Sequence, residues 1–248
     1  GPGGTFWAEN PELTPRPVRQ WQIWNEPTGP AHWKPRPWAP SYTRMLREAY
    51  QAVHAVDRRA EVVAGALVAT GTYTQWAGAR DLFKAGAGRW LDLVSVHPFT
   101  SNSASVSDSA WRLVEIVRRV RAQMNRRGGR KKEIVLTEMT WPASIGKTPP
   151  RTQLHFSTTA RGQVARLKAG YRAIARARRK LRVTTAYWYT WASSYDRSGS
   201  PTVMAFNFSG LNRFRGGAFR PMPVLKAYRS VARELQGCRK GANARRCR

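Results

Sequence analysis

Apolar residues along this chain follow two alternating rhythms. Short, nearly continuous apolar runs, the pattern of strands buried on both faces, occur at residues 21–24, 61–67, 91–96, 133–138 and 183–191. Between them, apolar positions recur at helical spacing. Behind a capping Ser41 come Tyr42, Met45, Leu46, Ala49, Tyr50, Val53 and Val56. A second helix is expected over 74–84, before the glycines at 86 and 88. A third, capped near Ser107 or Asp108, is expected to bury Trp111, Leu113, Ile116, Val117, Val120 and Met124 and to turn Arg118, Arg119 and Arg121 to water, ending at Gly128-Gly129. Val164, Leu167, Tyr171 and Ile174 mark a helix starting near Thr159, and Leu225, Tyr228, Val231 and Leu235 mark a last one over Pro223–Leu235. Residues 1–19 and 192–220, rich in Gly, Pro, Ser and Asn, read as loops.

Strict alternation of strand and helix predicts an α/β protein whose parallel sheet is covered by helices. Two architectures fit, an open doubly wound sheet and a closed (β/α) barrel. Gly86-Ala87-Gly88 precedes its strand, so no glycine-rich phosphate turn follows any strand and the dinucleotide-binding reading fails on context. Polar residues with chemical potential close several different strands, which favours the barrel.

Composition narrows the partners. The longest apolar run, Val62 to Ala69, is far short of the roughly 18 residues that span a bilayer, so no membrane span is expected. The net charge of +29, mostly from arginine, would draw an anionic polymer to the surface. The arginines fall on helix faces and not in a recognisable nucleic-acid module, so nucleic acid is not the expected partner. The eleven tryptophans suit a large core or a sugar-stacking cleft. Cys238 and Cys247, in a basic tail over 237–248, predict either one short disulfide loop, hence an oxidising compartment, or a pair of free thiols. Their spacing fits no metal site. The chain begins at Gly1, so its start is silent on export.

The chemistry concentrates at two carboxylates. Glu26 closes the aromatic run Trp21-Gln22-Ile23-Trp24-Asn25-Glu26-Pro27, and Glu138 closes Glu133-Ile134-Val135-Leu136-Thr137-Glu138. Each stands at the end of an expected buried strand, before a loop with Pro and Trp, with two strands between them in sequence. On a barrel this puts both on one rim. Paired carboxylates flanked by aromatics are what glycosidic cleavage uses: one protonates the leaving oxygen and the other attacks or stabilises the oxocarbenium-like centre. Asn25 is placed to hold a sugar hydroxyl, and Trp141, Trp188 and Trp191 are candidates to stack on a pyranose face.

The segments around Asn25-Glu26-Pro27, Val94-Ser95-Val96-His97-Pro98, Ile134 to Met139 and Tyr187-Trp188-Tyr189-Thr190-Trp191 resemble the fourth, sixth, seventh and eighth strands of clan A glycoside hydrolases, in the β-xylosidase, α-L-iduronidase and cellulase-like branches. The resemblance implies a (β/α)8 TIM-type barrel of which this chain holds the fourth to eighth β/α units, as the barrel portion 1–236. It implies a retaining O-glycosidase with no cofactor and no metal, acting on a carbohydrate; an extracellular setting is expected from the cysteine pair. By position, Glu26 is the acid/base, Glu138 the nucleophile, Asn25 the contact to the sugar 2-hydroxyl, and His97 lines the glycone subsite above a tryptophan floor.

Two departures stand out. Phe99 occupies the place where such enzymes commonly carry a tyrosine bonded to the nucleophile, which points to Tyr187 or Tyr189 as a substitute donor. The first three strands have no counterpart here, so the chain is expected to be part of a longer enzyme and to be inactive by itself. Two other readings follow from these features: a non-catalytic carbohydrate-binding protein on a degenerate barrel, and a polyanion-binding protein.

Overall fold

A computed structural model describes residues 3–100 and 105–236. Five strands form one parallel sheet in chain order: β1 (Gln20–Ile23), β2 (Glu61–Leu67), β3 (Leu93–Val96), β4 (Glu133–Met139) and β5 (Val183–Trp188). Helices alternate with them: α1 (Thr5–Glu9) before β1, then α2 (Trp38–Val56), α3 (Gln75–Lys84), α4 (Val106–Arg126), α5 (Ala160–Leu181) and, after a subsidiary sheet, α7 (Pro223–Gln236). The alternation that the apolar pattern predicts is therefore the fold. No helix of the described residues is long and apolar enough to cross a membrane. The tail with Cys238 and Cys247 lies outside the described residues.

The chain divides into two compact units. The first takes the chain up to Val96 together with Val120–Val135. Its centre is β2 and β3, buried almost throughout, and Val63, Leu93 and Val135 make one apolar cluster. β1 differs from expectation. Gln20, Trp21 and Gln22 are exposed, because β1 is an outer strand with β2 as its one neighbour in the sheet. The helix expected from Ser41 begins earlier, at Trp38. Pro40 is harmless in a first turn, whose N–H groups have no partner within the helix.

Arg121 also departs from the sequence reading. It is 4% exposed and donates to the carbonyls of Gly129 (3.3 Å) and Lys132 (2.8 Å). Helical spacing sets it on the face of Val117, Val120 and Met124, and its guanidinium is tolerated there because it caps the turn that leads into β4.

The second unit takes His97–Arg119 and the chain from Leu136 onward. α5 and α7 pack together, and Arg172 on α5 is bidentate to Glu234 on α7, with contacts from 2.7 to 3.2 Å. Trp111, expected in the core, is 60% exposed, since it lies about 200° around α4 from the buried Leu113. The stretch expected as a long loop holds β6 (Ala192–Ser193), α6 (Pro201–Phe206), β7 (Asn212–Arg215) and β8 (Ala218–Pro221). β7 and β8 are antiparallel, and Arg215 faces Ala218 across Gly216-Gly217. Both glycines have positive φ (58° and 72°), as a two-residue hairpin turn of the primed type requires. Ser200 caps α6, its hydroxyl accepting from the Val203 N–H, and Pro201 opens the helix.

Candidate functional site

In the first unit, the chain stops pairing at Ile23 and bends sharply through Trp24-Asn25-Glu26. Trp24 and Glu26 both take left-handed backbone angles, φ 68° and 47°. Such angles disfavour side chains with a Cβ, cost on the order of 1–3 kcal/mol each, and gather at functional sites. The surroundings hold the bend. The buried Tyr42 hydroxyl donates to the Ile23 carbonyl (2.7 Å) and accepts from the Gly65 N–H (2.5 Å), bridging the end of β1 to β2. Burial raises the Tyr42 pKa well above the usual phenol value, so the group stays a neutral donor. A Cβ at Gly65 would lie 2.9 Å from the Ile23 carbonyl and 3.1 Å from that of Trp24, so only glycine lets the two backbones approach this closely.

Past the bend, a tight turn presents Glu26. Its carbonyl accepts from the Gly29 N–H (2.9 Å), and the Gly29 carbonyl accepts from the His32 and Trp33 N–H groups. The turn brings His32 Nε2 within 3.1 Å of Glu26 Oε2, with the Glu26 side chain 14% exposed. A carboxyl in contact with an imidazole has a partner for holding or passing a proton. The Trp24 indole N–H donates to the His32 carbonyl (2.8 Å), and Trp24, Trp33 and Tyr42 meet edge to face in series. The sequence places a loop with Pro and Trp after Glu26 but does not single out His32, because pairing with Glu26 depends on the turn at Gly29.

In the second unit, His97 follows β3 and is fully buried, with Nε2 3.0 Å from the Thr137 hydroxyl on β4. That contact orients the ring, and Nδ1 lies 3.7 Å from Glu138 Oε2, beyond hydrogen-bonding distance but close enough to feel its charge. The Glu138 side chain is 25% exposed, so it is reachable by a ligand. Phe99 stacks on Phe156 at 4.8 Å and 4°, with Phe206 at 5.7 Å, and His97 leans on the same cluster.

The three tryptophans separate. Trp141 is 1% exposed; its indole N–H donates to Thr100 (3.0 Å) and its ring packs on Gly170 and Trp188. Trp188 is buried as well and donates to the Ser209 carbonyl (2.9 Å). Trp191 is 57% exposed and offers an open ring face.

No family model matches the sequence, and neither does any curated protein. Solved structures do match in fold. An α-L-arabinofuranosidase from Thermotoga maritima, in complex with arabinose, aligns at a TM-score of 0.56 and 17% identity over 84% of this chain and 38% of its own. A glucosidase from Croceicoccus marinus aligns at 0.58 and 19% identity over 88% of this chain and 41% of its own. The family 53 glycoside hydrolase catalytic domain from Ignisphaera aggregans aligns at 0.56 and 19% identity, over 92% of this chain and 61% of its own. The chain thus has the fold of part of a glycosidase (β/α) barrel and spans about two fifths of the first two of these structures.

Proposed function

We propose that this chain carries the catalytic carboxylates of a retaining O-glycoside hydrolase that cleaves a poly- or oligosaccharide. The observation that supports it most is the pairing of a glycosidase barrel fold with Glu26 on a strained bend after β1 and Glu138 at the end of β4. In the first step, protonated Glu26 gives its proton to the glycosidic oxygen while Glu138 attacks the anomeric carbon. The bond to the leaving alcohol breaks as the glycosyl ester forms. Glu26, now a carboxylate, takes a proton from water, and the resulting hydroxide displaces Glu138 with overall retention. His32 stabilises Glu26 when it is ionised, and His97 steadies Glu138. Asn25 binds the sugar 2-hydroxyl, His97 borders the glycone, and Trp191, with its open face, stacks on the ring. Trp141 and Trp188 support that region from within the core. An extracellular setting with a Cys238–Cys247 bridge belongs to the same reading.

The test is hydrolysis of a panel of aryl glycosides by the gene product that carries this chain, beside its Glu138→Gln variant. The expected result is turnover by the parent and a loss of at least about a thousandfold in the variant, as for removal of an essential catalytic group. Equal turnover in both would remove Glu138 from the mechanism. A second reading, carbohydrate binding without cleavage, draws on Phe99, which lies in an aromatic cluster where the resemblance calls for a phenol. It predicts saturable glycan binding by a parent that hydrolyses nothing.

A further inference from the structure

The second unit also carries a groove of about 800 Å³ between α4 and α5. Val106, Ala110, Trp111 and Val114 line it from α4, and Arg172 and Arg176 line it from α5. Resting on the glycosidase reading above, we propose that this groove is an accessory site for an acidic oligosaccharide, a chain of uronate residues.

Trp111 is 60% exposed, an unusual placement for the largest side chain in a helix with a well-packed opposite face. A flat indole beside guanidinium groups suits a pyranose that bears a carboxylate: the ring face stacks on the indole and the carboxylate takes paired N–H donors. Arg172 is held in place by Glu234, which uses its Nε and Nη2 and leaves the Nη1 donors for a ligand. Arg176 is exposed on the next turn.

Charge complementarity selects an anionic occupant. No carboxylate lines the groove, and α5 carries none over its 22 residues. The carboxylates nearest in sequence on α4 are already paired, Asp108 with Arg112 at 2.8 Å and Glu115 with Arg118 and Arg119 at 2.8 and 2.7 Å. A neutral glycan would satisfy the tryptophan but leave Arg176 and the Nη1 edge of Arg172 without an anionic partner.

The test is titration calorimetry at low salt with hexagalacturonate, a neutral xylohexaose and a hexathymidylate, on the Glu138→Gln form of the gene product so that cleavage cannot consume the ligand. Hexagalacturonate is expected to bind, with affinity reduced at least tenfold by Trp111→Ala and several-fold, with a shallower salt dependence, by Arg176→Gln. Any xylohexaose binding is expected to be unchanged by Trp111→Ala, since a neutral chain would sit in the catalytic cleft, and hexathymidylate is expected to bind at least tenfold more weakly than hexagalacturonate. Trp111→Ala removes an exposed ring, and its thermal unfolding should match the parent. The proposal fails if hexagalacturonate affinity is indifferent to Trp111, if Trp111→Ala weakens the neutral chain as much as the acidic one, or if the oligonucleotide binds more tightly. It fails also if sedimentation shows that Trp111 joins two copies of the chain. Hydrolysis by the Trp111→Ala protein, read separately on aryl glycosides, reports on the glycosidase reading and not on this groove.

Discussion

The residue on which the first unit turns is Tyr42. Its one hydroxyl meets the Ile23 carbonyl and the Gly65 N–H, fixing the strand end from which the Trp24–Glu26 bend departs. Tyr42→Phe removes both of these hydrogen bonds, at a cost of about 1–3 kcal/mol. Thermal unfolding should show a Tm lower by about 2–4 °C for each kcal/mol lost, and an unchanged Tm would contradict the bridging role. Asp81 ties α3 to α2 through a short relay: the Trp38 indole donates to the Tyr73 hydroxyl (2.9 Å), which donates to Asp81 (2.8 Å). Hydrogen bonds from Arg80, with help from Tyr73 and against the effect of burial, hold the Asp81 carboxyl below its usual pKa. A depressed folded-state value means stabilisation that is present above the unfolded pKa of about 4 and lost as pH falls through the lower folded value. The parent should therefore unfold at a higher temperature than Asp81→Asn near neutral pH, with the gap closing below about pH 4. A gap that stays constant into acid would refute stabilisation by the ionised Asp81 carboxylate.

At the scale of elements, α4 shows how spacing and residue type can disagree. Arg121 sits on the buried face by periodicity, while its chemistry suggests water; the structure follows periodicity and satisfies the guanidinium with two carbonyls. Arg121→Ala should destabilise by about 1.5–3 kcal/mol, as loss of buried charged hydrogen bonds does. Arg118→Ala, on an exposed pair with Glu115, should change stability by less than about 1 kcal/mol. Chemical denaturation of the two variants checks both, and equal effects would contradict the burial of Arg121. α5 comes close to Trp141 at Gly170, where a Cβ would stand 2.8 Å from the indole Cη2. Gly170→Ala should cost about 1–3 kcal/mol through displacement of that ring, and a neutral outcome in the same measurement would show room the structure lacks.

These elements also show what the sequence made legible. β2, α3, β4 and α5 lie where the sequence pattern places them, and the structure adds the caps, Thr74 for α3 and Thr159 for α5. The small sheet after β5 was hidden because its strands are short and exposed and lack a buried alternating face, so Gly216-Gly217 was its one local sign. Trp111 was misplaced because hydrophobicity outweighed its angular position on the helix.

For the molecule as a whole, strand and helix order alone carried the architecture, since parallel pairing follows from alternation whatever the details of each element. The exposure of β1 was not legible from its composition. An aromatic run looks buried, and whether it is depends on which neighbours the sheet supplies. Of the site residues, Glu26, Glu138, Asn25 and His97 could be proposed from motif and strand-end position. His32 and Thr137, their partners, emerge only in the fold, because each is set by a turn or by cross-strand placement. The positive charge, spread along helix surfaces, marks a property of the molecule more than of any one residue, and at the groove beside Trp111 it meets an aromatic platform.

The central claim is that Glu138 becomes covalently glycosylated, and one measurement addresses it directly. The gene product carrying this chain is treated with activated aryl 2-deoxy-2-fluoro glycosides, which slow release of the intermediate, then digested and analysed by mass spectrometry. The account predicts one added glycosyl group on the peptide that contains Glu138 and none on that peptide in Glu138→Gln. A protein that turns over the parent aryl glycoside but carries the label on Glu26, or carries no label at all, would contradict it.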